Sequence, residues 1–493
     1  MIFIKFLRIV TLAPIVCATL AIAQETGTEA ASPEDDGPIT VLDQVVPVAD
    51  EGPPEEDPVD EQTDGHELLL AEFQRYKDLK EAGSLDEAEN VAKRLVEMAI
   101  RASGPTSNDT AYALNNLAVV QHETQNYEAA QQNFSAAIEI IEDNEDRLNA
   151  LLINPLRGLG AAQLADDQPE QASRTFQRAV HISHVNEGPH NLEQVTILEA
   201  LAETNLRLGD TEAAKNNHDM IYTLNVRHYD LRSVDMVPAL LRRAAWQRRT
   251  GYILDERATY RRIIRIIESS SGKDDISLIG PLMKLGESYF YVDSSQSQTF
   301  QAATASTGEM YYKRAVRIAA ENPESDWMTL AKAKLAIGDY YNFRAELNRA
   351  RRAYRDAWEL LSVEDDRLAT RKMALEVLTA LNVNPIPRYV GNATHTDRQL
   401  EDDSLREGHI IVSYDVSTRG RVSALKIVEA TPTEFDSMRR LVQREMRTRI
   451  FRPRYEDAEP VESINEVFTH TFFYLQDDLQ KLREEAAAEA DAS

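Results

Sequence analysis

LNNLAVVQHETQNYEAAQQNFSAAI, residues 114–138, decides the fold. It reads as a helical stretch around Leu117-Ala118, a turn at Asn126-Tyr127, and a second helical stretch carrying Ala130, Phe134 and Ala137. The same text returns every 42 residues: Leu117, Leu159 and Leu201 are each followed by Ala or Gly, and the phase continues at Arg243-Ala244 and Leu285-Gly286. Seventeen positions after the first of each pair stands a bulky residue (Phe134, Phe176, His218, Tyr260), and three further on an Ala or Ile (Ala137, Ala179, Ile221, Ile263). One such helix pair cannot bury its apolar face alone, whereas stacked copies share a continuous core. The expected body is an elongated stack rather than a pocketed globule, which favours recognition over catalysis.

Turn residues punctuate the array at Gly83-Ser84, Gly209-Asp210 and Gly251-Tyr252. Counting back one period from Leu117 reaches Arg75, so the array starts near Glu67. Forward of Leu285 the next unit centres on Ile337-Gly338, with Tyr354, Ala357 and Trp358 at the second-helix positions; the interval is 52, an insertion of ten. The Ser, Gln, Thr and Ala-rich stretch from Val292 to Thr307 is the expected site, as a loop projecting from the stack. The units centred on Arg75 through Ile337 then number seven.

The Leu117-Ala118, Tyr127, Ala130, Phe134, Ala137 set and its copy at Leu159-Gly160, Ala172, Phe176, Ala179 resemble tetratricopeptide repeats. Ordinary members run at about 34 residues. The longer period, with Gly104-Pro105 and Gly188-Pro189 between units, is more similar to the long-helix version in kinesin light chains. The resemblance implies a superhelix whose concave face, lined by the first helix of each pair, binds peptide segments. Candidate groove residues are Asn115, Asn116, Arg157, Arg207, Arg242 and Arg249, since an amide can hold a peptide backbone and a guanidinium can clamp a carboxylate. The competing reading of each is an ordinary surface side chain.

Charge is unevenly distributed. The chain has a net charge of -28, and residues 24–66 hold 14 acidic side chains with no Lys or Arg. Six prolines share that stretch, from Pro33 to Pro58, so it reads as an acidic, disordered linker. Such acidity argues against nucleic acid as a partner. Against this background, residues 227–265 carry ten Arg and four acidic side chains, a local +6. Two readings stand: a solvated face with ion pairs between units, or a dock for an acidic segment such as the linker itself.

Before the linker, Lys5 and Arg8 precede an apolar run from Ile9 to Ile22, and Ala21-Ile22-Ala23 supplies a small-x-small cleavage pattern before Gln24. That is the form of a secretory signal peptide over residues 1–23. Its removal would take away Cys17, the sole cysteine, leaving a thiol-free chain suited to an oxidising compartment, here the periplasm. Membrane contact is expected only if this segment is retained.

A different pattern begins after the helical segment expected at 365–381. Asn384-Pro385-Ile386-Pro387 breaks the helix. Ile410, Val412, Tyr414 and Val416 then alternate with polar residues as a half-buried strand, and a turn at Gly420 leads into a returning strand with Leu425 and Ile427 facing in. Thr433 and Asp436 give a helix-start signal ahead of Met438, Val442 and Met446, and a long aromatic strand spans 461–475.

That order, with Pro387-Arg388-Tyr389, Gly420-Arg421-Val422, Asp436, Phe451-Arg452-Pro453, Pro460-Val461 and Phe472, resembles the C-terminal domain of TonB proteins over 384–475. Two positions depart from the family pattern: Val390 follows Tyr389 in place of Pro, and Ala458 stands where Gly is usual. The resemblance implies that a partner segment, such as the plug motif of an outer-membrane transporter, adds as a strand to the exposed last strand. Val467, Thr469, Thr471 and Phe473 are the candidate partner-binding residues.

The expected protein is mainly α. An α-α superhelical tetratricopeptide-like solenoid over 67–382 precedes a small α+β (β-β-α-β) TonB-like domain over 383–475 and an acidic tail over 476–493. The function this implies is a periplasmic protein–protein interaction adaptor linked to outer-membrane transport. The alternatives are a membrane-anchored TonB-type energy transducer and a non-catalytic scaffold for envelope-remodelling enzymes. His181 and His184 lack a third ligand at metal spacing, and no phosphate loop or nucleophile motif occurs. No enzyme, metal or cofactor is expected.

Overall fold

The computed structural model describes residues 61–290, 298–382, 386–388 and 405–491. The expected signal peptide, most of the acidic linker and the Tyr389-Val390 departure lie outside the described residues.

Among the described residues, fourteen helices run as seven consecutive pairs. They are α1 (Glu61–Glu81) with α2 (Leu85–Ser103), α3 (Asn108–Glu123) with α4 (Tyr127–Asn144), and α5 (Ile153–Ala165) with α6 (Pro169–Glu187). Next come α7 (Gln194–Arg207) with α8 (Thr211–His228), α9 (Val237–Arg249) with α10 (Ile253–Ser270), α11 (Ile279–Glu287) with α12 (Gln298–Glu321), and α13 (Trp327–Phe343) with α14 (Leu347–Leu360). Each helix packs on the next.

Two devices keep the pairs in phase. The turn inside a pair closes through one left-handed residue, and these recur at the same interval: Gly83, Gln125, Asp167, Gly209 and Gly251, then Ala345 after the insertion, with φ between +55° and +79°. Glycine takes this conformation without Cβ strain, and Gln, Asp and Ala tolerate it at a cost. The second device is the small residue after Leu. A Cβ at Gly160 would stand 2.7 Å from the Phe176 ring, one at Gly286 2.7 Å from Tyr312, and one at Gly338 2.6 Å from Tyr354. The small residue is therefore the socket for the aromatic of the second helix.

The inserted residues do not form the expected projecting loop through Thr307. Residues 298–307 are the first part of α12, which runs for 24 residues. Polar composition marked exposure, but Gln and Ala are good helix formers, and the helix simply extends. The acidic linker also ends earlier than expected, because α1 begins at Glu61.

The helical segment expected to reach Leu381 stops at Leu375. After a 3-10 turn at Asp365–Arg367 and α15 (Leu368–Leu375), β1 (Thr379–Ala380) pairs with β4 (Phe451–Arg452). Strand structure thus begins before residue 383. The rest comprises β2 (Leu405–Val416), β3 (Val422–Thr431), α16 (Asp436–Thr448), a β5 (Arg454–Glu456) and β6 (Glu459–Val461) hairpin, β7 (Ser463–Leu475) and α17 (Gln476–Asp491). The main sheet has the antiparallel order β3-β2-β7. On one face Met438, Val442 and Met446 of α16 pack against Ile410, Val412, Phe435 and Phe472.

Three details differ from expectation. Val461 belongs to the hairpin rather than the last strand, because Asp457 and Ala458 turn the chain with φ of +48° and +62°. The Thr433 hydroxyl bonds Glu434 instead of capping α16. The tail is helical, and Leu479 of α17 is buried in the domain core while Arg483 meets Glu434 at 2.6 Å.

The sheet-bearing domain is bolted to the last helix pair. Arg452 grips both oxygens of Asp339 on α13, at 2.8 and 2.6 Å, and donates to the Ala374 carbonyl at 2.8 Å. The Tyr354 hydroxyl donates to the same carboxylate at 2.7 Å. Asn342 donates to the Phe451 carbonyl at 2.7 Å, and Arg421 to the Asn342 carbonyl at 2.9 Å. Burial opposes the Arg452 charge, but Asp339 outweighs it and the guanidinium pKa is raised.

Candidate functional site

β7 lies at one margin of the sheet, flanked by β2 alone. Which backbone groups face out follows from one contact: the Phe473 N–H donates to the Arg388 carbonyl at 2.6 Å, on the side away from β2. Backbone groups alternate along a strand, so Thr471, Thr469 and Val467 share that outward direction. Their side chains also share one sheet face, opposite the inward Phe472 and Tyr474; Val467 is 61% exposed.

The four expected partner-binding residues therefore form one row, but the row is not uniformly open. The Pro387-Arg388 segment already occupies its far end, through Phe473 and through the His470 ring, whose Nε2 lies 3.1 Å from the Pro387 carbonyl. The expectation that Phe473 presents an unoccupied backbone is corrected by this contact. Among the described residues, nothing pairs with the outward groups of Val467 and Thr469. The near end closes at Asn465, where φ is +59° and the N–H is held by Asp415 Oδ1 at 2.9 Å. Burial lowers the His470 pKa, with Arg388 and Arg449 adding to it against the Pro387 bond.

Most of the solenoid candidates are engaged by neighbouring groups of the array. Arg242 pairs with Glu199 at 2.8 Å and Arg249 with Glu203, both on the preceding α7. Arg207 donates to the Leu164 carbonyl at 2.8 Å, satisfying the end of α5. Arg157 is half-buried on α5. Asn116 is buried, and its carbonyl accepts the Tyr76 hydroxyl at 3.0 Å. Asn115 is buried, and its side-chain oxygen is among those without a hydrogen-bond partner among the described residues.

The arginine-rich stretch is likewise paired between units. Arg243 meets Asp219 at 2.7 Å, and Arg248 meets Glu256 at 2.9 Å and Glu287 at 2.7 Å. Arg257 donates to the Ser288 carbonyl at 2.8 Å, Arg261 to the Tyr289 hydroxyl at 2.8 Å, and Arg262 to the Tyr222 hydroxyl. Arg242, Arg243, Arg248 and Arg249 thus meet carboxylates, as the reading of ion pairs between units expects, whereas Arg257, Arg261 and Arg262 bond neutral groups. His181 and His184 are exposed on α6, and no metal-holding cluster occurs among the described residues. Nor is any helix among them long and apolar enough to cross a membrane.

Sequence reasoning missed Arg351, Arg419 and Tyr455. They lie on α14, in the β2–β3 turn and on β5, and line one cavity only because the two parts of the chain meet.

Residues 78–143 match the tetratricopeptide repeat family. No curated protein matches the chain. Among solved structures, it is similar to a kinesin light chain from Podosopora anserina with nearly identical TPR-like repeats, at 11% identity, covering 44% of this chain and 99% of that one with a TM-score of 0.37. It is also similar to a tetratricopeptide repeat protein from Parabacteroides merdae, at 15% identity, covering 62% and 98% with a TM-score of 0.34. The helices over 78–143 thus match tetratricopeptide repeats in sequence, and left-handed turn residues recur beyond them at Asp167, Gly209, Gly251 and Ala345.

Proposed function

We propose that this chain is an exported protein-binding adaptor. Its repeat array receives peptide segments, and its terminal sheet, read as TonB-like, docks a partner strand on the outward edge of β7. The observation that carries the docking reading is the sheet order, which leaves the backbone of Val467 and Thr469 directed outward with no described neighbour. Strand addition draws affinity from such backbone groups and selectivity from alternate side chains, here Val467, Thr469 and Thr471. An outer-membrane transporter segment is the partner class the TonB resemblance suggests, and the periplasm the compartment.

Random decamers displayed on phage and selected against the full chain test the docking surface. Thr469→Pro deletes an outward N–H without removing a bond to β2, so binding should fall about tenfold or more, while Thr469→Val should retain it. Selected peptides indifferent to Thr469→Pro would place docking elsewhere. N-terminal sequencing of the mature protein tests export: a start at Gln24 supports the adaptor, and an intact Met1 supports the anchored transducer instead.

A further inference from the structure

A cavity of about 290 Å³ opens where the last helix pair meets the sheet-bearing domain. α14 supplies Leu347 and Arg351, the β2–β3 turn Thr418 and Arg419, and the β5–β6 hairpin Tyr455 and Pro460. Its lining includes two arginines and no aspartate or glutamate, in a chain whose net charge is -28. Arg419 is exposed and pairs with no carboxylate among the described residues. Arg351 reaches Glu459 only at 3.7 Å, and that carboxylate is already held by Arg355.

Tyr455 is the group that points to a ligand. It is 1% exposed, with its ring edge-on to Tyr354 at a centroid distance of 5.6 Å. Its hydroxyl makes no hydrogen bond among the described residues, yet the oxygen is not fully enclosed, and the cavity lies against this residue. Burial raises the Tyr455 pKa and Glu459 adds to it, against Arg351, Arg355 and Arg452. The phenol therefore stays protonated, a donor without an acceptor.

The surroundings favour an anion. Leu347 opens α14, so the positive end of that helix lies at the same cavity, and the neighbouring Glu346 carboxylate is taken by Arg349 at 2.6 Å. Leu347, Pro453 and Pro460 add apolar wall. Guanidiniums suit a carboxylate, and the wall beside them suits the methylene stem that carries one, which inorganic phosphate lacks.

We propose that this cavity is a subsite for an acidic side chain, glutamate or aspartate, of a bound peptide. Arg351 and Arg419 take the carboxylate, the Tyr455 hydroxyl donates to it, and the stem lies along Leu347, Pro453 and Pro460. A peptide seated there touches the repeat array and the sheet-bearing domain at once. This rests on the reading of the chain as a peptide-binding adaptor and adds what it selects.

The test is a methyl NMR titration of the full chain, read at Leu347 and Ala350, with Nα-acetyl-glutamate methylamide and its glutamine analogue. The glutamate compound should bind saturably and about tenfold more tightly than the glutamine compound. The Arg351→Gln/Arg419→Gln double variant, altered at exposed positions, should lose that preference without loss of fold. Tyr455→Phe, which keeps the ring and removes one oxygen, should reduce it. Equal binding of the two compounds, or a preference unchanged in either variant, overturns the proposal. Inorganic phosphate binding more tightly than the capped glutamate overturns the peptide assignment in favour of a free oxyanion. A negative result alongside intact Thr469-dependent decamer binding removes the subsite and leaves the adaptor reading standing.

Discussion

His218 occupies the position that Phe134, Phe176 and Tyr260 hold in neighbouring units, and it behaves as an aromatic. Its ring stacks on Trp246 with centroids 4.3 Å apart and planes 30° apart. Burial, reinforced by Arg243 and Arg249 and opposed by Asp219, lowers its pKa from 6.5 to about 4. In the unfolded chain the ring protonates near 6.5, whereas in the fold it resists down to about 4. Between those values the unfolded state binds more protons, so stability is full above the window and falls as pH drops through it. The contribution is on the order of 3 kcal/mol. His218→Phe keeps the stack and should flatten the dependence. Urea unfolding at pH 7 and pH 4.5 should show the variant losing less stability than the parent, and parallel losses would sink the assignment.

At the scale of the element, the repeat is held by glycine sockets rather than by leucine alone. Tyr354 is fully buried against Gly338, and its hydroxyl is tied to Asp339, so the ring cannot swing aside. Gly338→Val should therefore cost about 1–3 kcal/mol by overpacking, more than the gain in helix propensity can offset. Gly280→Ala is the control, since nothing lies within 4 Å of the added methyl. It should be neutral or mildly stabilising in the same denaturation assay. Equal behaviour of the two variants would show that the socket carries no weight. The small-then-aromatic spacing is legible at Gly160–Phe176 and Gly338–Tyr354, where socket and ring lie sixteen residues apart, but not at Gly286–Tyr312, where the insertion separates them. The conformation of 298–307 is not legible either, because polarity reports exposure and leaves helix and loop undecided.

On the scale of the whole molecule, the solenoid and the sheet-bearing domain meet through a desolvated charge pair. Arg452 and Asp339 side chains are 12% and 14% exposed. Asp339→Asn removes the counter-charge from a buried guanidinium, an event that costs about 3–5 kcal/mol. The variant should unfold in two transitions and exchange amide hydrogens faster at Thr379 and Ala380. A single transition at the parental midpoint would mean that the pair does not couple the two parts. In the sequence Arg452 is legible as part of the Phe451-Arg452-Pro453 run of the TonB resemblance; its grip on a residue 113 positions earlier is not.

The sequence by itself determined the helix pairs, their period, and the strand-strand-helix-strand order with its inward faces. Those are local patterns, set by side chains a few residues apart along one helix or strand. Only the tertiary structure decided that β2 is central and β7 marginal, and that Pro387-Arg388 covers the far end of β7. The partners taken by Arg242, Arg243, Arg248 and Arg249 in neighbouring helices were also decided there. Each depends on residues from separate elements, and a one-dimensional pattern carries periodicity without carrying the pairing of distant partners.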